Sequence, residues 1–209
     1  MTEFEFFFTL YGLLLGLTLA EIAVKFADAI AARAEVPLGT LTPMFALFIL
    51  LDITSFWMWT WSGRDAIHIN WPTLYAALAV ALSYFMAACL VFPRRAGEWA
   101  NLDEYYFQSK NIVIIGIICA NLPVILFQFS AKLPELSDFW FFFWQTIYWL
   151  PLVMLLFARS RRANQVLLAL LVAQWLLVAS SLLPNSQWGD SVGLNGDAAR
   201  AQASGRTPG

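Results

Sequence analysis

The sequence predicts an all-α, polytopic membrane protein, a bundle of six transmembrane helices. Three observations carry this. Apolar residues gather in six runs of roughly 20, the length a helix needs to cross a bilayer at ~1.5 Å rise per residue. The composition is 60% hydrophobic and 12% charged, with a mean hydropathy of +0.67, whereas a soluble domain is nearer 45–50% and about 25%. The Lys and Arg residues also cluster in alternate connections, the pattern that orients membrane spans. A net charge of −2 without a groove-tracking basic stripe argues against a nucleic-acid partner.

The first span covers 4–27 and continues as an amphipathic helix to Ala32. It has neither a basic leader nor a cleavage site, so it is expected to be retained. Gly12, Gly16 and Ala20 recur every fourth residue, a small-residue stripe suited to close helix packing within the chain or between protomers. Glu21, Lys25 and Asp28 follow at its inner end. Glu21 and Lys25 have the favourable i,i+4 order for an ion pair. This group reads either as an interfacial pair with a snorkelling lysine or as an inner gate on a path deeper into the bundle.

The second span, 42–61 (TPMFALFILLDITSFWMWTW), contains one charge, Asp52. At ~1.5 Å per residue its carboxyl lies roughly 15 Å deep, near the midplane. The loop 62–72 holds the single histidine, His68, beside Asp65; a lone loop histidine is expected to be solvated. The third span, 73–92, presents Ala77, Ala81 and Ala88 and is closed by Pro93. The connection 93–110 mixes charges with Trp99, Tyr105, Tyr106 and Phe107 and reads as an interfacial segment. Its adjacent acids, Asp103 and Glu104, hint at metal-assisted lipid chemistry, without a nearby histidine in support.

The fourth span covers 111–129, the fifth 139–158 and the sixth 163–183, the last closed by Pro184. Together the spans form one domain over 1–184. The tail 185–209 is rich in Gly, Ser, Ala, Asn and Asp and is expected to be disordered. Cys89 and Cys119 lie inside apolar runs and are read as free thiols. No metal, cofactor or hydrolase fingerprint occurs. Trp57, Trp59, Trp61, Trp71, Trp140, Trp144 and Trp149 are expected in an outer aromatic belt.

Lys25, Arg33, Arg94, Arg95, Lys110, Arg159, Arg161 and Arg162 follow the odd-numbered spans; Arg64, Lys132, Arg200 and Arg206 do not. The positive-inside rule then places both termini outside a plasma membrane of the bacterial inner-membrane type. The spans become three hairpins with basic inner connections.

Counting inward from each span's start brings Tyr84, Asn121 and Gln174 to the level of Asp52. Gln145 and Tyr148 of the fifth span lie nearby, and Ser55 shares the Asp52 face one turn on. Pro123 leaves the Cys119 carbonyl without its usual partner. One reading is a midplane site in which Asp52, Ser55, Tyr84, Asn121 and Gln174 handle a proton or small cation, as in a small transporter or channel. The other is polar glue in a non-catalytic subunit that packs onto a larger membrane complex or a second copy. Enzymatic activity is not expected, although lipid modification by the 93–110 loop remains open. The lipid bilayer is the one partner the composition requires.

Overall fold

The computed structural model describes residues 2–64, 67–131, 133–180 and 182. The tail 185–209, Pro184, Asp65 and Lys132 lie outside the described residues. Six helices follow in order: α1 Glu3–Ala31, α2 Leu41–Ser62, α3 Trp71–Val91, α4 Leu102–Ala131, α5 Phe139–Phe157 and α6 Arg161–Ser180. No strand occurs among the described residues. All six helices are long and apolar enough to cross a membrane, and the chain is an integral membrane protein of the all-α, six-span class.

Sequential pairs form hairpins, α1 with α2, α3 with α4 and α5 with α6; α1 also packs on α3 and α2 on α6. The spanning window of α2 is 50% buried, against 28–33% for the others, so α2 is the central helix. Its buried residues include Phe45, Phe48, Ile49, Ile53 and Phe56. The outward faces keep large apolar residues such as Leu13, Leu17, Met86, Ile112, Leu126 and Val166. In water such a surface would be an aggregation hazard; in lipid it is the solvated face.

Local chemistry sets the helix ends. Thr2 and Glu5 form a capping box at the start of α1, satisfying two of its orphan N–H groups. Asn70 caps α3 through the Thr73 N–H at 2.9 Å, and Pro72 sits in the first turn, where no N–H is needed. Phe92 turns extended, with φ −114° and ψ 146°, as a residue before proline must, and α3 stops. Asp138 caps α5 through the Phe141 N–H at 3.0 Å. Pro123 and Pro151 lie inside α4 and α5 without ending them.

Two expectations bear on this packing. The small-residue stripe of α1, read as packing within the chain or between protomers, packs within the chain only through Gly12. A Cβ on Gly12 would meet Trp57 at 3.7 Å, but one on Gly16 would meet nothing within 4 Å, and Gly16 and Ala20 are exposed. The buried line of α1 is instead Phe7, Tyr11, Leu15, Thr18 and Ile22, spaced three and four apart on the neighbouring face, where larger side chains fill the space against α2 and α3. The close approach occurs elsewhere: Gly116 of α4 lies against Ser83 and Ala87 of α3. Second, 102–110 is not a loop but the first turns of α4. Its acids suit a helix N-terminus, and Leu102, Asp103, Tyr106, Ser109 and Lys110 are buried.

Asp103 explains why these turns are held inward. Its carboxylate accepts the Leu41 N–H at 2.9 Å and the Thr40 N–H at 3.2 Å, and pairs with Arg161 at 2.6 Å. It thereby caps α2 from another helix and joins α4 to α6. Gly39 makes the turn into α2 with φ +68°. A Cβ there would run into the Asp103 carboxylate. Gly39→Ala therefore combines left-handed strain with loss of this cap, and is expected to destabilise the protein by about 1–3 kcal/mol. The check is unfolding in detergent; an unchanged midpoint would contradict the cap.

Candidate functional site

Asp52 is fully buried, at 0% exposure. Ile49, Ile53 and Phe56 surround it on α2, so its own helix offers almost no solvation. The solvation comes from other helices. Tyr84 of α3 donates its hydroxyl to Asp52 Oδ2 at 2.5 Å, and Tyr148 of α5 donates to Oδ1 at 3.0 Å. Asn121 of α4 donates its amide to the Tyr84 oxygen at 3.1 Å and to the Ile117 carbonyl at 3.0 Å. The Trp175 indole N–H of α6 faces the carboxyl but falls outside hydrogen-bonding geometry. Five of the six helices thus converge on one acid.

Ring packing holds the two phenols. Tyr84 stands edge-on to Phe56, with centroids 5.1 Å apart and planes at 69°. Tyr148 stands edge-on to Trp175 at 5.8 Å and 65°. Such tilted pairs are the favourable aromatic geometry. They hold each hydroxyl within reach of its carboxylate oxygen, so both oxygens of Asp52 accept a phenol hydrogen.

Of the predicted site residues, Asp52, Tyr84 and Asn121 form a continuous chain. Ser55 does not join it; its hydroxyl returns to the Asp52 backbone carbonyl at 2.6 Å, a local bond that helical serines favour. Gln174 is buried beside Trp175, with its Oε1 unmatched by any donor among the described residues. Gln145 accepts from the Trp149 indole at 3.1 Å and belongs to α5 alone. Tyr148 and Trp175 complete the setting. Tyr148 was visible in the sequence as a mid-depth phenol; Trp175 was masked by its polar neighbour, because a tryptophan in an apolar run reads as packing.

The second predicted group divides. Lys25 pairs with Glu21 at 3.1 Å and donates to the Cys89 carbonyl at 2.7 Å, so this cation finishes the carboxyl end of α3. Tyr105 adds a bond to the Leu90 carbonyl at 3.0 Å. Asp28 is exposed and stands apart from the cluster. His68 is exposed, and its carbonyl accepts the Thr73 hydroxyl at 2.8 Å. No group of three or more His, Cys, Asp or Glu suited to a metal occurs among the described residues. Cys89 and Cys119 are free thiols.

A small chamber of about 90 Å³ lies between α1, α2, α3 and α4, on the side away from the basic connections. Tyr11, Thr60, Thr73, Val80 and Pro123 are among its lining residues. Val80 is one turn from Tyr84 and Pro123 is two residues from Asn121, so the chamber borders the network on the side away from the basic connections. It has room for water.

Comparison with protein families, with curated protein sequences and with solved structures finds no match. The geometry alone therefore supports the functional argument.

Removing a phenol leaves a buried carboxylate oxygen without its donor, a loss of about 1–3 kcal/mol. Tyr84→Phe also deprives Asn121 of an acceptor, so it is expected to destabilise more than Tyr148→Phe. Because both phenols act on one carboxyl, the double variant should deviate from the sum of the singles. Denaturant unfolding of the three variants in micelles measures this; strict additivity would mean that the phenols do not share the acid.

Proposed function

We propose that the protein is a small transporter in which Asp52 takes up and releases a proton. The observation that carries this reading is the pairing of a fully buried lone acid with two hydroxyl donors from separate helices. Ionisable groups inside a membrane domain are costly and mark ion or proton pathways. A cation site gathers oxygen lone pairs around a space; here hydrogens are aimed at the acid, which suits a proton better than a metal-like cation. Gain or loss of that proton changes which partner donates, so it favours different arrangements of α2, α3 and α5.

Access is proposed from the chamber beside Tyr11 and Val80 towards Tyr84 and Asn121. The unmatched Gln174 Oε1 and the Trp175 N–H offer an acceptor and a donor to water on the α6 side. At the opposite end, the Glu21–Lys25 pair is the proposed inner gate, because it ties α1 to the end of the helix carrying Tyr84. The basic connections favour both termini on the outer side of a bacterial-type inner membrane.

One observation favours a second reading. Asp52 does not line the chamber, as expected of a structural knot in a non-catalytic membrane subunit. The exposed Phe139 and Phe142 at the start of α5 would then contact a partner chain or a second copy.

Asp52→Asn separates the two. In proteoliposomes with an imposed pH gradient, the wild-type protein should dissipate the gradient. The variant should lose at least about tenfold in rate at nearly unchanged folded yield, since a buried amide cannot carry the proton. Unchanged flux in the variant would end the transport proposal. Loss of folded protein without any wild-type flux would establish the structural reading.

A further inference from the structure

Lys110 is a cation buried to 4% exposure, and no carboxylate among the described residues pairs with it. Its ammonium donates to the Leu155 and Ala158 carbonyls and, at 3.3 Å, to Asn164 Oδ1. These acceptors are neutral. They complete the carboxyl end of α5 and solvate the ammonium, but they leave its charge uncompensated beyond the partial charge of the helix end. The same ammonium lies 5.7 Å from the Phe107 ring centroid.

A cavity of about 310 Å³ opens beside it, lined by Phe107, Lys110, Asn111, Phe157 and Arg159 among others. Arg159 is exposed and is engaged by no carboxylate among the described residues. Arg161, two residues on, is already neutralised by Asp103. The corner therefore carries two cations and no acid. The Asn111 amide is exposed at the same rim, and Phe157, 77% exposed, projects from the end of α5. A cationic floor next to protruding aromatic rings, at the end of two spanning helices, matches the boundary between headgroups and acyl chains.

We propose that this cavity binds the phosphodiester headgroup of an anionic phospholipid. The phosphate oxygens would accept from the Arg159 guanidinium and the Asn111 amide, in the field of the buried Lys110 ammonium. The first acyl carbons would lie against Phe107 and Phe157. The volume is at the small end of ligand pockets, which run from about 300 to 1,000 Å³, so one headgroup fits rather than a doubled one. Arginine is suited to the role because its planar fork meets two phosphate oxygens at once.

The test uses the full chain, purified in a neutral detergent and analysed by native mass spectrometry. Phosphatidylglycerol, phosphatidylcholine and inorganic phosphate are titrated separately. Phosphatidylglycerol should be retained at one molecule per chain in preference to phosphatidylcholine. Arg159→Gln should weaken that binding about fivefold, the effect of one basic contact near a membrane surface. Arg33→Gln, which removes a basic residue from the same end but outside the cavity, should leave it unchanged. Lys110→Met risks unfolding α5, so Arg159→Gln carries the test. Equal retention of the two lipids, or full retention by Arg159→Gln, would overturn the proposal. Inorganic phosphate binding as tightly as the lipid would assign the site to a free anion and overturn it as well.

Discussion

The bond on which the rest of the structure depends is the one between Asp52 and the two tyrosine hydroxyls. A carboxyl in the apolar centre of a bundle has no water to turn to, and leaving it without donors is among the more expensive errors a membrane helix can carry. Apolar contacts do little to choose between helix arrangements in lipid, since a leucine is as well solvated by an acyl chain as by another leucine. The acid does choose. Only an arrangement that brings Tyr84 of α3 and Tyr148 of α5 to opposite carboxylate oxygens satisfies it. Asn121 extends the same demand to α4. The network thus selects a fold as well as offering a place for chemistry.

At the basic end of the bundle a different logic applies. Three helix ends there meet a charge of the matching sign from another helix. Asp103 serves the amino end of α2, Lys25 the carboxyl end of α3 and Lys110 the carboxyl end of α5. Asn164 of α6 accepts from Tyr106 at 2.8 Å and donates to the Ala158 and Ser160 carbonyls. Gln165 adds a bond to Thr40 at 2.7 Å. These charges fall where the helix dipoles want them, and every bond but the local one from Asn164 to Ser160 links two elements. Basic residues in this region therefore do more than orient the spans. Lys25 and Lys110 have become parts of the packing, whereas Arg33, Arg94, Arg159 and Arg162 stay at the surface.

Much of this was legible in the sequence because the relevant signals are local. Six apolar runs, Pro93 after the third span and the lone Asp52 are visible without any knowledge of packing. The depth count also brought Tyr84 and Asn121 to the level of the acid, since rise per residue is fixed by helix geometry. Rotation about the helix axis is not fixed in this way, and there the sequence reading failed. Gln174 and Trp175 lie at the same depth but differ by about 100° in direction, and the tryptophan is the one that faces the carboxyl. Ser55 shares a face with Asp52 yet bonds to its own backbone. Gly12, Gly16 and Ala20 form a clean stripe, but the bundle buries the face next to it. The mix of charges and aromatics over 93–110 reads as an interfacial connection, whereas Asp103 and Lys110 at the start of α4 are turned inward to serve other helices.

The two polar systems together constrain how the protein could move. The helices that meet at Asp52 are pinned at the basic end by charged caps, and at the other end mostly by ring contacts such as Phe8 with Trp57 and Trp61 and Phe129 with Phe141. Ring contacts tolerate sliding better than hydrogen-bonded charges do, because they lack a single required direction. Pro123 and Pro151 interrupt the backbone ladders of α4 and α5 within three residues of Asn121 and Tyr148. A helix already missing a hydrogen bond at that level bends there at lower cost than elsewhere. Any rearrangement that re-pairs Asp52 is therefore expected to pivot at the acid's own depth, with the halves of α4 and α5 away from the basic end moving and the basic end staying still. The small chamber lies on that ring-packed side, between α1, α2, α3 and α4, rather than at the capped end.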